Sequence, residues 1–227
     1  MVEAIVYLTR SKKLHITCLC DTAYPVCGIC HINMNYLAHA YLSFGEPEIL
    51  AGNIFSDFIK GKKRYNFPQR IQEGIALHRA IDEYTDQHSA TAAAKEFFRP
   101  IYRLYASPIT DIIYDHFLAN DATVFPGDTL RTFAANTYTQ LKQFENVFPE
   151  NFGTVFYYMQ LHDWLYNYRL NQGIFRSLEG LVRRATYIND ARPAQELFVQ
   201  HYDALRECYD SFFPDVRELA KRYLGNY

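Results

Sequence analysis

Residues 69–87 read Q-R-I-Q-E-G-I-A-L-H-R-A-I-D-E-Y-T-D-Q, and the spacing of their side chains decides how this part of the chain folds. Residues on one face of the predicted helix follow one another at intervals of four, three and four: Ile71, Ile75, His78 and Asp82. The apolar residues predict that this face packs against the core, so His78 and Asp82 point inward. A buried carboxylate is costly unless it finds hydrogen bonds, a counter-charge or a metal ion. The segment therefore predicts a core helix that carries a polar site.

Three further helical segments place polar side chains on apolar faces. These side chains are His39, Asn53, Asp57 and His116, with Asp115 about 100° from His116 around its helix. Each has an ordinary structural alternative: an inward His can donate to a backbone carbonyl, and His78 with Asp82 can form a structural pair. Ligands from facing helices are, however, how helical bundles build metal sites. Mixed His and Asp ligation suits Mn²⁺, Fe²⁺ or Zn²⁺, and a carboxylate-rich set favours Mn²⁺ or Mg²⁺.

The remainder of the chain also has the pattern of helices. From Met34 onward, prolines separate segments with helical apolar spacing, and no alternating strand pattern with hairpin signals occurs. The predicted helices span roughly 35–44, 48–60, 69–87, 89–106, 109–120, 129–146, 151–170, 172–188 and 194–224. The sequence therefore predicts an all-α, single-domain helical bundle over residues 34–227.

Composition argues against several classes of protein. The 227 residues are 49% hydrophobic, with a formal net charge of −2 and a pI near 6.4, which gives no reason to expect nucleic-acid binding. No run of 18 or more apolar residues occurs, so no membrane span is expected. Charged residues interrupt the N-terminal stretch where a secretory signal would need a compact apolar region. A cytoplasmic location is the default expectation.

Four of the five cysteines crowd into thirteen residues near the N-terminus: Cys18, Cys20, Cys27 and Cys30. Their C-x-C and C-x-x-C spacing could supply four thiolates to Zn²⁺. The alternatives are four reduced thiols, or a segment that is not normally translated. Met34 opens a far more regular pattern. We therefore expect residues 1–33 to be a short irregular extension outside the fold, and Met34 to be the natural start.

Four motifs carry a resemblance to a known family. M-N-Y-L-A-H-A begins at Met34, G-N-I-F-S-D-F-I-K-G spans 52–61, G-I-A-L-H-R-A-I-D-E-Y-T-D spans 74–86, and P-I-T-D-I-I-Y-D-H-F-L spans 108–118. With these motifs the sequence resembles the acyl carrier protein phosphodiesterase family over residues 34–225. That family is similar to the HD superfamily of helical metal-dependent phosphohydrolases, although the usual adjacent His–Asp pair is split here as His78 and Asp82. The resemblance implies an HD-like bundle.

The resemblance also implies a reaction. It is the removal of 4′-phosphopantetheine from the serine of holo-acyl carrier protein. The implied cofactor is a divalent cation, with Mn²⁺ preferred and Mg²⁺ or Fe²⁺ as alternatives. Asp57 matches an acidic residue that the family needs for activity, and either completes the metal shell or orients the attacking water. The predicted cation ligands are His39, Asp57, His78, Asp82, Asp115 and His116. The predicted catalytic residues are Asp57, His78, Arg79 and Asp82.

Two basic features could serve such a substrate. Arg79 lies about 100° from His78 around the helix, so it could reach a phosphate at the rim or form an exposed salt bridge. A basic run directly after the Asp57 segment consists of Lys60, Lys62, Lys63 and Arg64. Because the resemblance implies an acidic carrier protein, these residues are the predicted docking surface, with a solvated basic loop as the alternative.

Two other functions fit the same residues. The first is an HD-type metal phosphohydrolase that acts on a nucleotide or an alarmone, whose ligand set would look the same. The second is a non-enzymatic helical binding module whose inward His and Asp side chains only stabilise the core. That reading requires a core that satisfies many ionisable groups without a metal ion.

Overall fold

The computed structural model describes residues 36–225, and every regular element in that range is a helix. The α-helices are α1 (Tyr36–Tyr41), α2 (Pro47–Phe55), α3 (Gln69–Gln87), α4 (Ser89–Glu96), α5 (Arg99–Tyr102), α6 (Ala106–Ala119), α7 (Thr129–Lys142), α8 (Phe152–Leu161), α9 (Trp164–Asn167), α10 (Asn171–Arg184), α11 (Arg192–Gln200) and α12 (Tyr202–Tyr223). Short 3₁₀ turns lie at Ser56–Phe58, Gly61–Asn66, Arg103–Tyr105 and Glu145–Val147. The all-α prediction is confirmed. The predicted extension at 1–33, with the four cysteines whose zinc binding was left as one alternative, lies outside the described residues.

Helix α6 runs through the centre of the bundle. Every residue from Ile109 to Ala119 is buried, and α1, α4, α10 and α12 pack around it. A helix that is buried all round is typical of a core position. Its ionisable residues must therefore find partners inside the protein. Over residues 36–225, no helix combines the length and the apolar character needed to cross a membrane.

Helices α2 and α3 approach so closely that only glycine fits at their contact. A Cβ atom on Gly52 would lie 2.1 Å from the carbonyl oxygen of Ile71, and one on Gly74 would lie 2.3 Å from the carbonyl oxygen of Ile49. Both distances are far shorter than a van der Waals contact. This approach brings the end of α2 beside the middle of α3, where His78 lies, and so positions the polar site.

Several helix boundaries differ from the predicted ones. The predicted helix 89–106 ends at Glu96, and α5 stops at Tyr102 because Arg103 has a φ of 51°, which an α-helix cannot contain. Asp163, with a φ of 45°, likewise divides the predicted helix 151–170 into α8 and α9. Helix α6 begins before Pro108, because proline is tolerated in a first turn, where its missing N–H has no intrahelical acceptor.

Candidate metal centre

A cluster of two histidines and one aspartate forms where α1 meets α3. His39 comes from α1, and His78 and Asp82 come from successive turns of α3. One ligand atom of each residue lies within 4.8 Å of those of the other two. The Nε2 atom of His39 is 3.3 Å from Asp82 Oδ1, and the Nε2 atom of His78 is 3.1 Å from Asp82 Oδ2. The carboxylate of Asp82 therefore bridges the two imidazoles.

Asp57 reaches the cluster from a third element. It lies in the 3₁₀ turn that follows α2, and its Oδ1 atom is 3.1 Å from Nε2 of His78. The side chains of Asp57 and Asp82 are 18% and 24% exposed, whereas those of His39 and His78 are 2% and 5% exposed. The carboxylates therefore form the open side of the cluster, and the imidazoles form its floor.

Asn53 fixes the orientation of both imidazole rings. Its Nδ2 group donates to the carbonyl oxygen of His39 at 2.9 Å and to Ser43 Oγ at 3.0 Å, so its Oδ1 atom accepts from Nδ1 of His39 at 2.7 Å. Its backbone carbonyl accepts from Nδ1 of His78, also at 2.7 Å. Both rings therefore carry a proton on Nδ1 and direct Nε2 towards the carboxylates. This is how hydrogen bonds at one ring nitrogen prepare the other to bind a metal ion.

The electrostatics of the cluster favour a cation. Burial and the neighbouring His78 lower the pKa of His39. Burial also opposes protonation of His78, but its contacts with Asp57 and Asp82 outweigh that effect and raise its pKa to about 10. Burial alone would raise the pKa of Asp82, yet its contacts with the two imidazoles lower it. The carboxylates of Asp57 and Asp82, which contact His78 from two different elements, therefore form a side of the cluster that favours a cation.

The donor atoms fit a divalent metal ion. The Nε2 atom of His39 is buried, and its 3.3 Å approach to Asp82 Oδ1 does not have the geometry of a hydrogen bond, so this nitrogen remains available to a further partner. Imidazole nitrogens combined with carboxylate oxygens are ligands that Mn²⁺, Fe²⁺ and Zn²⁺ accept. A cation bound here would place a positive charge beside the carboxylates of Asp57 and Asp82. The residues present therefore suit the metal ion that the sequence predicted.

Asp115 lies elsewhere and has a different role from the predicted one. Its two carboxylate oxygens accept from the backbone N–H groups of Leu37 and Ala38, at 3.0 and 2.8 Å. These donors belong to the first turn of α1, whose N–H groups have no partner inside the helix. Burial raises the pKa of Asp115 well above its usual value, and the two N–H donors partly oppose that rise. Asp115 thus holds the helix that carries His39, and is not placed to ligate the cation.

His116 is also separated from the cluster. Its Nδ1 atom lies 2.8 Å from the carbonyl oxygen of Tyr168, and its Nε2 atom lies 3.0 Å from the hydroxyl of Tyr202. Both ring nitrogens are therefore engaged in hydrogen bonds that join α6 to the C-terminal half of the protein. The burial expected for His116 is present, but its role is structural.

The predicted basic residues lie on the surface. Arg79 is exposed and forms no ion pair with any described residue, and the same is true of Lys60, Lys62 and Lys63. Arg64 is half-buried, and its guanidinium lies 4.7 Å from the ring centre of Tyr65, whose hydroxyl it contacts at 2.7 Å. Their roles in phosphate and carrier binding stay predictions.

Two residues near the cluster lacked a predicted role. Asn53 was expected on an inward face, but nothing in the sequence shows that it would contact both histidines. Asp111, one helical turn before Asp115, is 4% exposed and lines a small, mainly apolar cavity beside Ala38 and Ile81. Burial, and then the negative charge of Asp82, raise the pKa of Asp111 well above its usual value. Its position in the motif P-I-T-D was the only available signal.

Comparison with known proteins places the chain in a family. Residues 34–216 match a family described as acyl carrier protein phosphodiesterase. Proteins of that name from Salmonella paratyphi A (strain ATCC 9150 / SARB42), Enterobacter sp. (strain 638) and Klebsiella pneumoniae subsp. pneumoniae are each 32% identical to this chain over 189 or 190 residues. Each alignment covers 83% of this chain and 98% of the relative. No solved structure matches it. Since the family match spans most of the chain and these relatives are 32% identical over nearly their whole length, the chain belongs to the acyl carrier protein phosphodiesterase family.

Proposed function

We propose that this protein hydrolyses the phosphodiester bond between 4′-phosphopantetheine and the serine of holo-acyl carrier protein, which yields the apo form. The observation that carries the proposal is the pair of buried imidazoles facing two partly exposed carboxylates, in a chain of this family. An HD-like class of fold belongs to the same proposal. The cytoplasmic location stays a prediction, and so does the domain boundary at Met34.

The residues that would hold a divalent cation are His39, Asp57, His78 and Asp82, and the cation proposed is Mn²⁺, with Mg²⁺ or Fe²⁺ as alternatives. When bound, such an ion neutralises phosphoryl oxygens and lowers the pKa of a coordinated water. Asn53 and Asp115 keep the two imidazoles in place. Asp57, on the open side of the cluster, either completes the ligand shell or accepts a proton from the attacking water. Arg79 supports binding of the phosphate from the rim.

Docking of the carrier is proposed to use the basic run Lys60–Arg64. Because its three lysines are exposed and form no ion pair within the described part of the chain, their charge is available to an acidic partner. Charge complementarity of this kind mainly accelerates association, and salt weakens it. The same run would be of no advantage to a protein whose substrate is a small neutral molecule.

The direct test is to incubate the protein with holo-acyl carrier protein and Mn²⁺, and to measure the mass of the carrier. Loss of the phosphopantetheine mass is expected. Asp57→Asn should slow this reaction by about 100-fold or more, because it removes a charged group that acts on water or metal. Glu83→Gln is the matched control, since Glu83 is an exposed carboxylate on the same helix as Asp82 and should not affect the rate.

Two results would contradict the proposal. An unchanged carrier mass, together with hydrolysis of a nucleotide or an alarmone, would favour the HD-type alternative. An unchanged carrier mass in a protein that binds no metal by elemental analysis would favour the binding module. A normal rate for Asp57→Asn would remove Asp57 from the catalytic residues while leaving the substrate assignment intact.

A further inference from the structure

Two apolar side chains on neighbouring loops are almost completely exposed. Leu104 is 91% exposed and Tyr187 is 87% exposed. The two loops are joined by a hydrogen bond of 3.2 Å from the backbone N–H of Thr186 to the hydroxyl of Tyr105. Arg103 precedes Leu104 and is exposed without an ion pair to any residue in 36–225. We refer to Arg103, Leu104 and Tyr187 as the Leu104 patch.

The backbone that presents Leu104 is unusual and firmly anchored. Arg103 has φ and ψ angles of 51° and −116°, a backbone conformation that residues other than glycine rarely adopt. The residue before it, Tyr102, is buried, and its hydroxyl donates to the carbonyl of Asp190 at 2.8 Å and accepts from the N–H of Ala194 at 2.9 Å. A turn fixed in this way presents its apolar side chain outward with little freedom left to lose on binding.

The segment that carries the patch is joined to the part of α3 that follows the metal centre. Ser107, three residues after Leu104, donates from its hydroxyl to Asp86 Oδ1 at 2.8 Å. Asp86 is one helical turn beyond Asp82 on α3, so the segment that carries the patch runs past the C-terminal end of that helix. Three residues of extended chain reach at most about 10 Å, which limits how far Leu104 can lie from Ser107.

The basic run lies beside the opposite end of the same helix. Gln72, in the first turn of α3, donates from its side chain to the carbonyl of Phe67 at 2.8 Å, and the basic run ends at Arg64, three residues before Phe67. From Gln69 to Asp86, α3 is about 25 Å long at 1.5 Å per residue. The cluster formed by His78 and Asp82 therefore lies between a basic surface and a partly apolar one.

We infer that the Leu104 patch is a contact surface for acyl carrier protein, an inference that rests on the function proposed above. The bond to be cleaved joins 4′-phosphopantetheine to a serine of the carrier protein itself. The surface of the carrier must therefore approach the open side of the cluster. In such a complex, the carrier would also contact residues of this protein on either side of that opening. Tyr and Arg are among the residue types enriched at the centres of interfaces, the exposed Leu104 adds apolar area beside them, and Arg103 complements an acidic partner.

The test compares Leu104→Asp with Leu161→Asp in the hydrolysis of holo-acyl carrier protein. Leu161 is 58% exposed at the end of α8, so both substitutions place the same charge on an exposed leucine. We expect Leu104→Asp to raise KM about 5-fold or more with kcat unchanged, because docking and not chemistry is impaired. Leu161→Asp should leave KM unchanged. Arg103→Glu should raise KM further at low salt than at high salt.

The results separate this inference from the proposed function. If the wild-type protein removes 4′-phosphopantetheine but Leu104→Asp has a normal KM, the Leu104 patch is not a carrier contact and the proposed function stands. A fall in kcat with KM unchanged would likewise overturn the inference, since it would indicate an effect on the chemistry. If wild-type protein leaves holo-acyl carrier protein intact, both the function and the inference are wrong.

Discussion

The contact between Gly52 and Gly74 offers a test of how the fold positions the metal centre. In Gly74→Ala, the new Cβ atom would lie 2.3 Å from the carbonyl oxygen of Ile49 and 3.0 Å from Cα of Gly52. Real Cβ atoms essentially never come within 3.0 Å of another heavy atom, so α2 and α3 must separate by about 0.7 Å. Backbone atoms on both sides leave no flexible side chain that could move instead.

The magnitude follows from two opposing effects. Overpacking at a rigid contact costs about 3 kcal/mol, and alanine gains about 1 kcal/mol over glycine inside a helix. The free energy of unfolding should therefore fall by about 2 kcal/mol. The 2.7 Å hydrogen bond from His78 to the carbonyl of Asn53 crosses the same contact, so it should lengthen and the affinity for Mn²⁺ should fall about 10-fold or more.

Gly153→Ala is the matched control. Gly153 lies in α8, and a Cβ atom there would meet nothing within 4 Å, so this variant should be stabilised by up to about 1 kcal/mol. Urea denaturation measures the free energy of unfolding, and isothermal titration calorimetry measures Mn²⁺ binding. If Gly74→Ala proved as stable as Gly153→Ala and bound Mn²⁺ normally, the close packing of α2 on α3 would not be what places His78.

Two further predictions concern buried residues around the cluster. Asn53→Ala should weaken Mn²⁺ binding about 10- to 100-fold by calorimetry, because His39 loses the acceptor that orients its ring, and normal affinity would show that the ring needs no such support. Burial raises the folded-state pKa of Asp111, so the contribution of Asp111 to stability is most favourable below about pH 4 and falls as pH rises toward that pKa. In EDTA, Asp111→Asn should therefore have a higher Tm than the wild type at pH 8, and this difference should shrink toward pH 4. An advantage that does not change with pH would mean that Asp111 is ionised in the folded protein.

The sequence by itself determined the helical class and the inward direction of several polar side chains. Helix α3 begins and ends at the predicted residues, because a 3.6-residue period in apolar positions is a local property of the chain. The same period placed His78 and Asp82 on one face, since residues four apart always lie on the same side of a helix. Burial of His116 was predictable for the same reason, whereas Asp115, about 100° from His116, is buried because α6 is covered on all sides.

Only the tertiary structure decided which inward residues meet. Periodicity gives the face of a helix but not the helix that it faces, so Asp115 could not be assigned to the backbone of α1, 77 and 78 residues away, from sequence alone. The double role of Asn53 depends on the same long-range packing, and so does the need for glycine at 52 and 74. These contacts join segments distant in the chain, and the free energy that selects them comes from packing in three dimensions rather than from local spacing.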